Sequence, residues 1–227
     1  MTQDEAKKLV GERAAEFVEP GMAVGLGTGS TATQFIRALA ARNAATPLNI
    51  RCVASSDASG ALGTQLGLDV TTLENLSELD IYIDGADEVD PNLNLIKGGG
   101  AAHLREKIVA SSSKRFIVVV DSTKLVSELG KFPLPVEVVK MARPLVERHL
   151  NALGLNPVLR LKKGTNDILL TDENNYILDC HCGTIPDPEK TAADIRAIVG
   201  VVEHGLFLGM SSLCLVAGDN GVTELKP

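Results

Sequence analysis

The strongest constraint on the fold is a rhythm of alternating elements. Apolar runs of three to five residues, Met22–Leu26, Ile50–Ala54, Ile81–Ile83 and Phe116–Val120, read as buried strands. Between them lie stretches of helical spacing. The first runs through Ala6, Leu9, Val10, Ala14, Phe17 and Val18 and stops at Pro20-Gly21, and the second through Ala32, Phe35, Ile36 and Leu39. Two more are expected near 58–66 and 101–110. Strands alternating with helices predict an α/β fold with a parallel sheet covered on both faces.

The rhythm changes after Lys131–Val136. From there the pattern predicts strand 135–139, helix 143–152, strand 157–162, strand 167–182 broken by a turn at Asn174-Asn175, helix 188–198 and strand 201–203. That β-α-β-β-α-β order is the ferredoxin-like signature. Buried-strand composition returns at Leu213–Ala217. The expected organisation is therefore a Rossmann-like parallel-sheet domain, residues 1–130 and 205–227, interrupted by a smaller ferredoxin-like α+β domain at 131–204. A chain of 227 residues is long enough to bury such a core.

Charge and composition narrow the partners. Twenty-two Lys and Arg against 29 Asp and Glu leave a net charge of −7, which argues against a nucleic-acid surface. With 5 Phe, 2 Tyr and no Trp, base-stacking platforms are not expected either. No apolar stretch approaches the ~18 residues of a membrane span. The polar opening Met1–Lys8 lacks the apolar segment of a signal peptide, and the four cysteines contain no CxxC. Both point to a reducing compartment, the cytoplasm. Cys180-His181-Cys182 is the one candidate metal cluster. It offers at most three ligands where zinc sites supply four, and a period of two places Leu178, Cys180 and Cys182 on one apolar strand face, so the strand reading is preferred.

Ligands of parallel sheets gather beyond the carboxyl ends of the strands. Four segments should land there. Gly25–Thr31 joins a strand to a helix, where glycines let the backbone approach an anion and helix-start N–H groups favour negative charge. Thr28, Gly29, Ser30 and Thr31 would suit a phosphate monoester. The loop is not a Walker A motif, and as a dinucleotide fingerprint it carries Ser30 at the third glycine position. A plain strand-to-helix turn is the competing reading. Next, Asp84-Gly85-Ala86-Asp87 crowds two carboxylates at a strand tip, suited either to acid/base work or to an N-cap and turn. Then Lys97-Gly98-Gly99-Gly100 places three glycines in a row, each costly in backbone entropy, which makes sense where a substrate lies against the main chain beside a cation. Glu106, within the first two turns of the following helix, could face that loop or be a solvated helix residue; His103 reads as a helix-start or lining residue. Last, Lys124 follows Phe116–Val120 on the same sheet edge, as a surface lysine or a contact to a sugar hydroxyl or phosphate.

Taken in order, Gly27–Thr31, Ser55–Ser59, Asp84–Glu88, Lys97–Ala102, Arg105–Ile108 and Gly130–Val138 resemble the signatures of type A ribose-5-phosphate isomerases, and the similarity extends over essentially the whole chain. The resemblance implies reversible interconversion of D-ribose 5-phosphate and D-ribulose 5-phosphate, with no cofactor and no metal. It implies Glu106 as general base, passing a proton between C2 and C1 through a cis-enediol(ate), with Asp84 and Asp87 at the reacting end. Lys97, Gly85, Ala86 and Gly98–Gly100 would line the site. Thr28–Thr31 would hold the phosphate, helped by Lys7, and Lys124 would contact substrate. A homo-oligomer, a homodimer or a dimer of dimers, is also implied. Three segments depart from the family pattern: Ala40–Asn49, Gly205–Lys226 and His103-Leu104 beside the expected base. The main alternative from another class is a non-catalytic sugar-phosphate-sensing domain, which would need the phosphate loop but not Asp84, Asp87, Lys97 and Glu106. An acyl or CoA transferase and a dinucleotide-dependent dehydrogenase are further alternatives.

Overall fold

Thr2 starts the first helix by a reciprocal cap: its hydroxyl accepts from the Glu5 N–H while the Glu5 carboxylate accepts from the Thr2 N–H. From there a computed structural model describes all of residues 1–227. In chain order the elements are α1 (Gln3–Ala15), β1 (Ala23–Leu26), α2 (Ser30–Ala45), β2 (Arg51–Ala54), α3 (Asp57–Gln65), β3 (Val70–Thr71), β4 (Ile81–Asp84), β5 (Glu88–Val89), β6 (Leu95–Ile96), α4 (His103–Ser111) and β7 (Phe116–Asp121). There follow β8 (Leu134–Val138), α5 (Arg143–Ala152), β9 (Pro157–Leu159), β10 (Tyr176–Cys180), α6 (Pro188–Arg196), β11 (Val201–His204), β12 (Leu206–Phe207), β13 (Leu213–Gly218) and β14 (Gly221–Leu225).

The main sheet has the order β14-β13-β7-β4-β1-β2-β3, parallel throughout except for the antiparallel edge strand β14. From β1 the chain goes to β2 on one side, and β4 then lies on the other side of β1. The order therefore reverses between β1 and β4, and the crevice beyond their carboxyl ends is where a ligand is expected. One face of the sheet is covered by α1 and α2, whose Val10, Ala14, Phe35, Ile36 and Leu39 are sealed against Val24, Leu26, Ile83 and Val119. Gly11 lets the two helices touch, since a Cβ there would come 2.7 Å from the Phe35 nitrogen. The other face buries Tyr82, Val109, Phe116, Val118 and Phe207.

A second sheet, β11-β8-β10-β9, is antiparallel throughout, with α5 between β8 and β9 and α6 between β10 and β11. This is the ferredoxin-like arrangement. A third, small sheet, β12-β6-β5, lies between the two. At the crossing into β8 the buried Glu88 carboxylate accepts from the Gly130 N–H at 2.7 Å and the Phe132 N–H at 2.6 Å.

Several boundaries differ from the sequence reading. The expected long strand 167–182 is confined to Tyr176–Cys180. Thr171 explains why: its hydroxyl donates to Glu137 Oε1 and accepts from the Asn175 N–H, so side-chain bonds turn the chain where a ladder was expected. Strand 157–162 stops at Leu159, beyond which only a single bridge, Leu161 to Ile168, remains. Cys180 ends β10 in the core with Leu178, Cys182 is half-buried, and His181 is exposed. The stretch Leu206–Met210 begins as core, with Leu206 and Phe207 fully covered. No helix is long and apolar enough to cross a membrane.

Candidate active site

Four loops meet beyond β1, β4, β6 and β7. They enclose a pocket of about 130 Å³ lined by Gln3, Lys7, Thr28–Thr31, Gly85–Asp87, Lys97–Gly100, Glu106 and Lys124. Of the residues singled out around these four loops, Asp84 and His103 do not line it.

The phosphate-type loop is shaped from below. Gly27 donates its N–H to the Ile83 carbonyl at 3.0 Å, and a Cβ there would fall 2.5 Å from that same oxygen, so only glycine fits. Gly29, at φ +99°, turns the chain into α2, whose first N–H groups open on the pocket. Thr28 is tied at both ends: its N–H donates to Asp84 Oδ1 at 2.9 Å, and its hydroxyl lies 2.8 Å from that of Ser55.

Asp84 is sealed beneath this floor. Its Oδ1 accepts from the Thr28 and Gly85 N–H groups, the latter at 2.7 Å. Its Oδ2 accepts from the Tyr82 hydroxyl and from Lys97 Nζ at 2.8 Å. Lys97 also donates to the Gly85 carbonyl at 2.6 Å. Burial alone would discharge its ammonium, but Asp84 and Glu106 outweigh burial and hold its pKa raised. The main chain at Lys97 is fixed too, its N–H donating to the Gly205 carbonyl at 2.9 Å.

Glu106 sits on the first turns of α4 with its Oε2 3.3 Å from Lys97 Nζ, within ion-pair range but without hydrogen-bond alignment. Burial pushes its pKa up to about 8, against the pull of Lys97 and with a further push from Asp84. A carboxylate kept dry, lightly partnered and titrating near neutrality has the properties of a general base. Asp87 reaches across from the other wall, its Oδ2 accepting from the Gly99 N–H at 2.8 Å. Lys124 comes from a single 3₁₀ turn at Ser122–Lys124, capped by Asp121, which accepts from the Thr123 N–H. His103 lies outside the pocket. It is buried behind Gly98, its Nε2 4.0 Å from Glu137 Oε2, and burial with the charges of Lys107 and Arg160 lowers its pKa to about 3.

The sequence model of ribose 5-phosphate isomerase A (phosphoriboisomerase A) matches residues 51–221. A ribose-5-phosphate isomerase A of Roseiflexus castenholzii is 52% identical over 222 residues, covering 97% of this chain and 94% of its own. The chain belongs to the ribose 5-phosphate isomerase A family. The Caulobacter sp. (strain K31) member is 45% identical over 230 residues with complete coverage of both chains. Among solved structures, the family member from Methanocaldococcus jannaschii superposes with a TM-score of 0.95 at 39% identity, covering both chains fully. A D-ribose-5-phosphate isomerase in complex with phospho-erythronic acid superposes with a TM-score of 0.94 at 36% identity, again covering both chains fully.

Sequence reasoning missed two features of this isomerase-family site. Gln3 lines the pocket from the start of α1, which no motif announces, although its Nε2 donates to Asp121 Oδ2 at 3.3 Å. Tyr82 looked like one more apolar strand residue, yet its hydroxyl reaches the Asp84 carboxylate. A period-two count from Asp84 back along β4 would have placed both side chains on one face.

Proposed function

We propose that this chain catalyses the reversible isomerisation of D-ribose 5-phosphate and D-ribulose 5-phosphate through a cis-enediol(ate), with Glu106 as the general base. The observation that carries the reading is the pair Glu106–Lys97: a dry carboxylate able to take a proton, beside a cation able to steady the oxyanion that results. In the aldose-to-ketose direction Glu106 takes the proton from C2, and the C1 carbonyl oxygen gains a proton as the C1–C2 double bond forms. The O2 hydroxyl then gives up its proton as Glu106 returns one to C1, which leaves the C2 ketone. Atoms and charge balance, and the phosphate is unchanged throughout.

Each other group has a distinct part. Asp87, Gly85, Ala86 and Gly98–Gly100 hold the reacting end, with Asp87 moving protons between the two oxygens and assisting ring opening. Asp84, out of reach of the pocket, acts by fixing Lys97, Thr28 and Gly85 in place. Thr28–Thr31 with Lys7 receive the phosphate, and Lys124 meets the substrate from the β7 edge. Phosphate binding far from C1 and C2 supplies orientation, which is where much of the rate of such a reaction originates. A non-catalytic sensor would not need a base poised near neutral pH.

The same reading takes residues 1–130 with 205–227 as the catalytic domain and 131–204 as its ferredoxin-like companion. It makes the protein a cytoplasmic homo-oligomer, a homodimer or dimer of dimers, that needs neither cofactor nor metal. The test is to mix purified protein with ribose 5-phosphate and follow ribulose 5-phosphate, with and without chelator. Turnover unaffected by chelator is expected; no turnover under any condition overturns the reading, and strict dependence on added metal overturns its cofactor-free form.

A further inference from the structure

Arg160 lies just past β9 of the four-stranded sheet, outside the pocket, yet it is bonded to the pocket's wall. Its Nε donates to Asp179 Oδ2 at 2.8 Å and its Nη2 to Asp179 Oδ1, a two-point grip that fixes the guanidinium plane. The remaining nitrogen, Nη1, donates to the Gly98 carbonyl at 2.7 Å and leans towards the Gly99 carbonyl at 3.4 Å. Nearly nine-tenths of the Arg160 side chain is buried.

The consequence follows from peptide planarity. In a trans peptide the C=O and N–H point in opposite directions, so a bond that fixes one fixes the other. The peptide between Gly98 and Gly99 is held at both ends, by Arg160 on its carbonyl and by Asp87 on its N–H. In the next peptide, Arg160 draws the Gly99 carbonyl away from the pocket, which turns the Gly100 N–H the other way. That N–H has no partner within the protein. Within the loop the Ala101 N–H also donates to the Gly98 carbonyl at 3.0 Å, closing a turn that Arg160 grips from outside. Gly98 sits at φ +106° and Ala101 at φ +64°, a conformation that a non-glycine residue adopts only where its surroundings impose it.

We propose that Arg160, held by Asp179, is a positioning residue for the isomerisation: it sets the peptide planes of the Gly98–Gly100 loop, and through them the seat of Asp87 and the direction of the free Gly100 N–H. The four-stranded domain thereby takes part in the reaction through one side chain. This rests on the assignment of the loop and Asp87 to the reacting end. Lysine cannot replace the arginine, because one ammonium cannot grip Asp179 at two points and reach the loop carbonyls as well.

The experiment compares wild type, Arg160→Lys and Arg160→Ala in steady-state isomerisation of ribose 5-phosphate, with Glu106→Gln alongside. Inhibition by inorganic phosphate and the melting midpoint are measured on each. We expect kcat to fall about 10- to 100-fold in both Arg160 variants. Phosphate inhibition should stay within about twofold of wild type, and the pH midpoint of the reaction should not move. Guanidinium added at low concentration should restore part of the Arg160→Ala rate without affecting wild type. The proposal is overturned if kcat stays within about twofold in both variants, or if the loss is matched by equal loss of phosphate binding and no rescue. Should Arg160→Ala not fold, Arg160→Lys and Asp179→Asn decide by the rate, phosphate and pH criteria. A fully active Glu106→Gln would instead overturn the assignment of the site.

Discussion

Lys97 Nζ stands 3.3 Å from Glu106 Oε2, with both side chains almost wholly sealed from solvent. The carboxylates of Asp84 and, once ionised, Glu106 outweigh burial and raise the lysine's pKa, while burial outweighs the lysine and raises that of Glu106 to about 8. The active form of a base is the ionised one. kcat/KM for ribose 5-phosphate should therefore climb with pH, with a midpoint near 8 in the free enzyme. Lys97→Met removes the charge that holds Glu106 down, so its residual activity should titrate at higher pH. A pH–rate profile of both proteins checks this.

The same raised pKa has a thermodynamic sign. The folded protein binds a proton at Glu106 that the unfolded chain releases near 4.5, so the stability this supplies is present below 4.5 and is lost as pH rises towards 8. Glu106→Gln keeps the neutral shape at every pH. Its melting midpoint should gain on wild type as pH rises from 4.5 to 8, and level off above that. Calorimetry across the range reads the difference.

Asp84 is expected to act from beneath the floor. In Asp84→Asn the oxygen can still accept from Thr28 and Gly85, but the new amide N–H group faces two donors, Lys97 and the Tyr82 hydroxyl. Losing a hydrogen bond to a charged group costs about 1.5–3 kcal/mol, or roughly 10- to 100-fold in rate when the loss falls on the transition state. Steady-state kinetics should show that loss in kcat, with inhibition by inorganic phosphate little changed.

Lys124 and Lys7 approach the pocket as cations on a protein whose net charge is −7. Recognition of an anionic substrate is therefore local. Lys124→Ala should raise KM by roughly 10-fold or more, with a smaller effect on kcat, since binding to substrate and transition state is lost alike. The salt dependence of kcat/KM should weaken in the same variant.

The main sheet was legible because its strands are buried on both faces and announce themselves as apolar runs, as at Ile81–Ile83 and Phe116–Val120. The site was legible because glycine and charge cluster where the chain leaves those strands: Gly27–Thr31 after β1 and Asp84–Asp87 at the end of β4 fall on either side of the reversal in strand order. Two-residue strands such as β5, β6 and β12 were not, since two residues carry no period. A strand was expected from 167 but begins only at Tyr176, because Thr171 and Asn175 spend their side chains on Glu137. Long-range partners left no local trace. Nothing near Arg160 in the sequence points to Gly98, 62 residues away.

The central claim is that Glu106 carries the proton between C2 and C1, and the most direct measurement is exchange of that hydrogen. In heavy water, wild type incubated with ribose 5-phosphate should incorporate deuterium at C2 of the aldose and C1 of the ketose, followed by proton NMR. Glu106→Gln should bind inorganic phosphate as wild type does, while exchange and turnover both fall by about 10²- to 10⁴-fold. Exchange at the wild-type rate in Glu106→Gln would contradict the account.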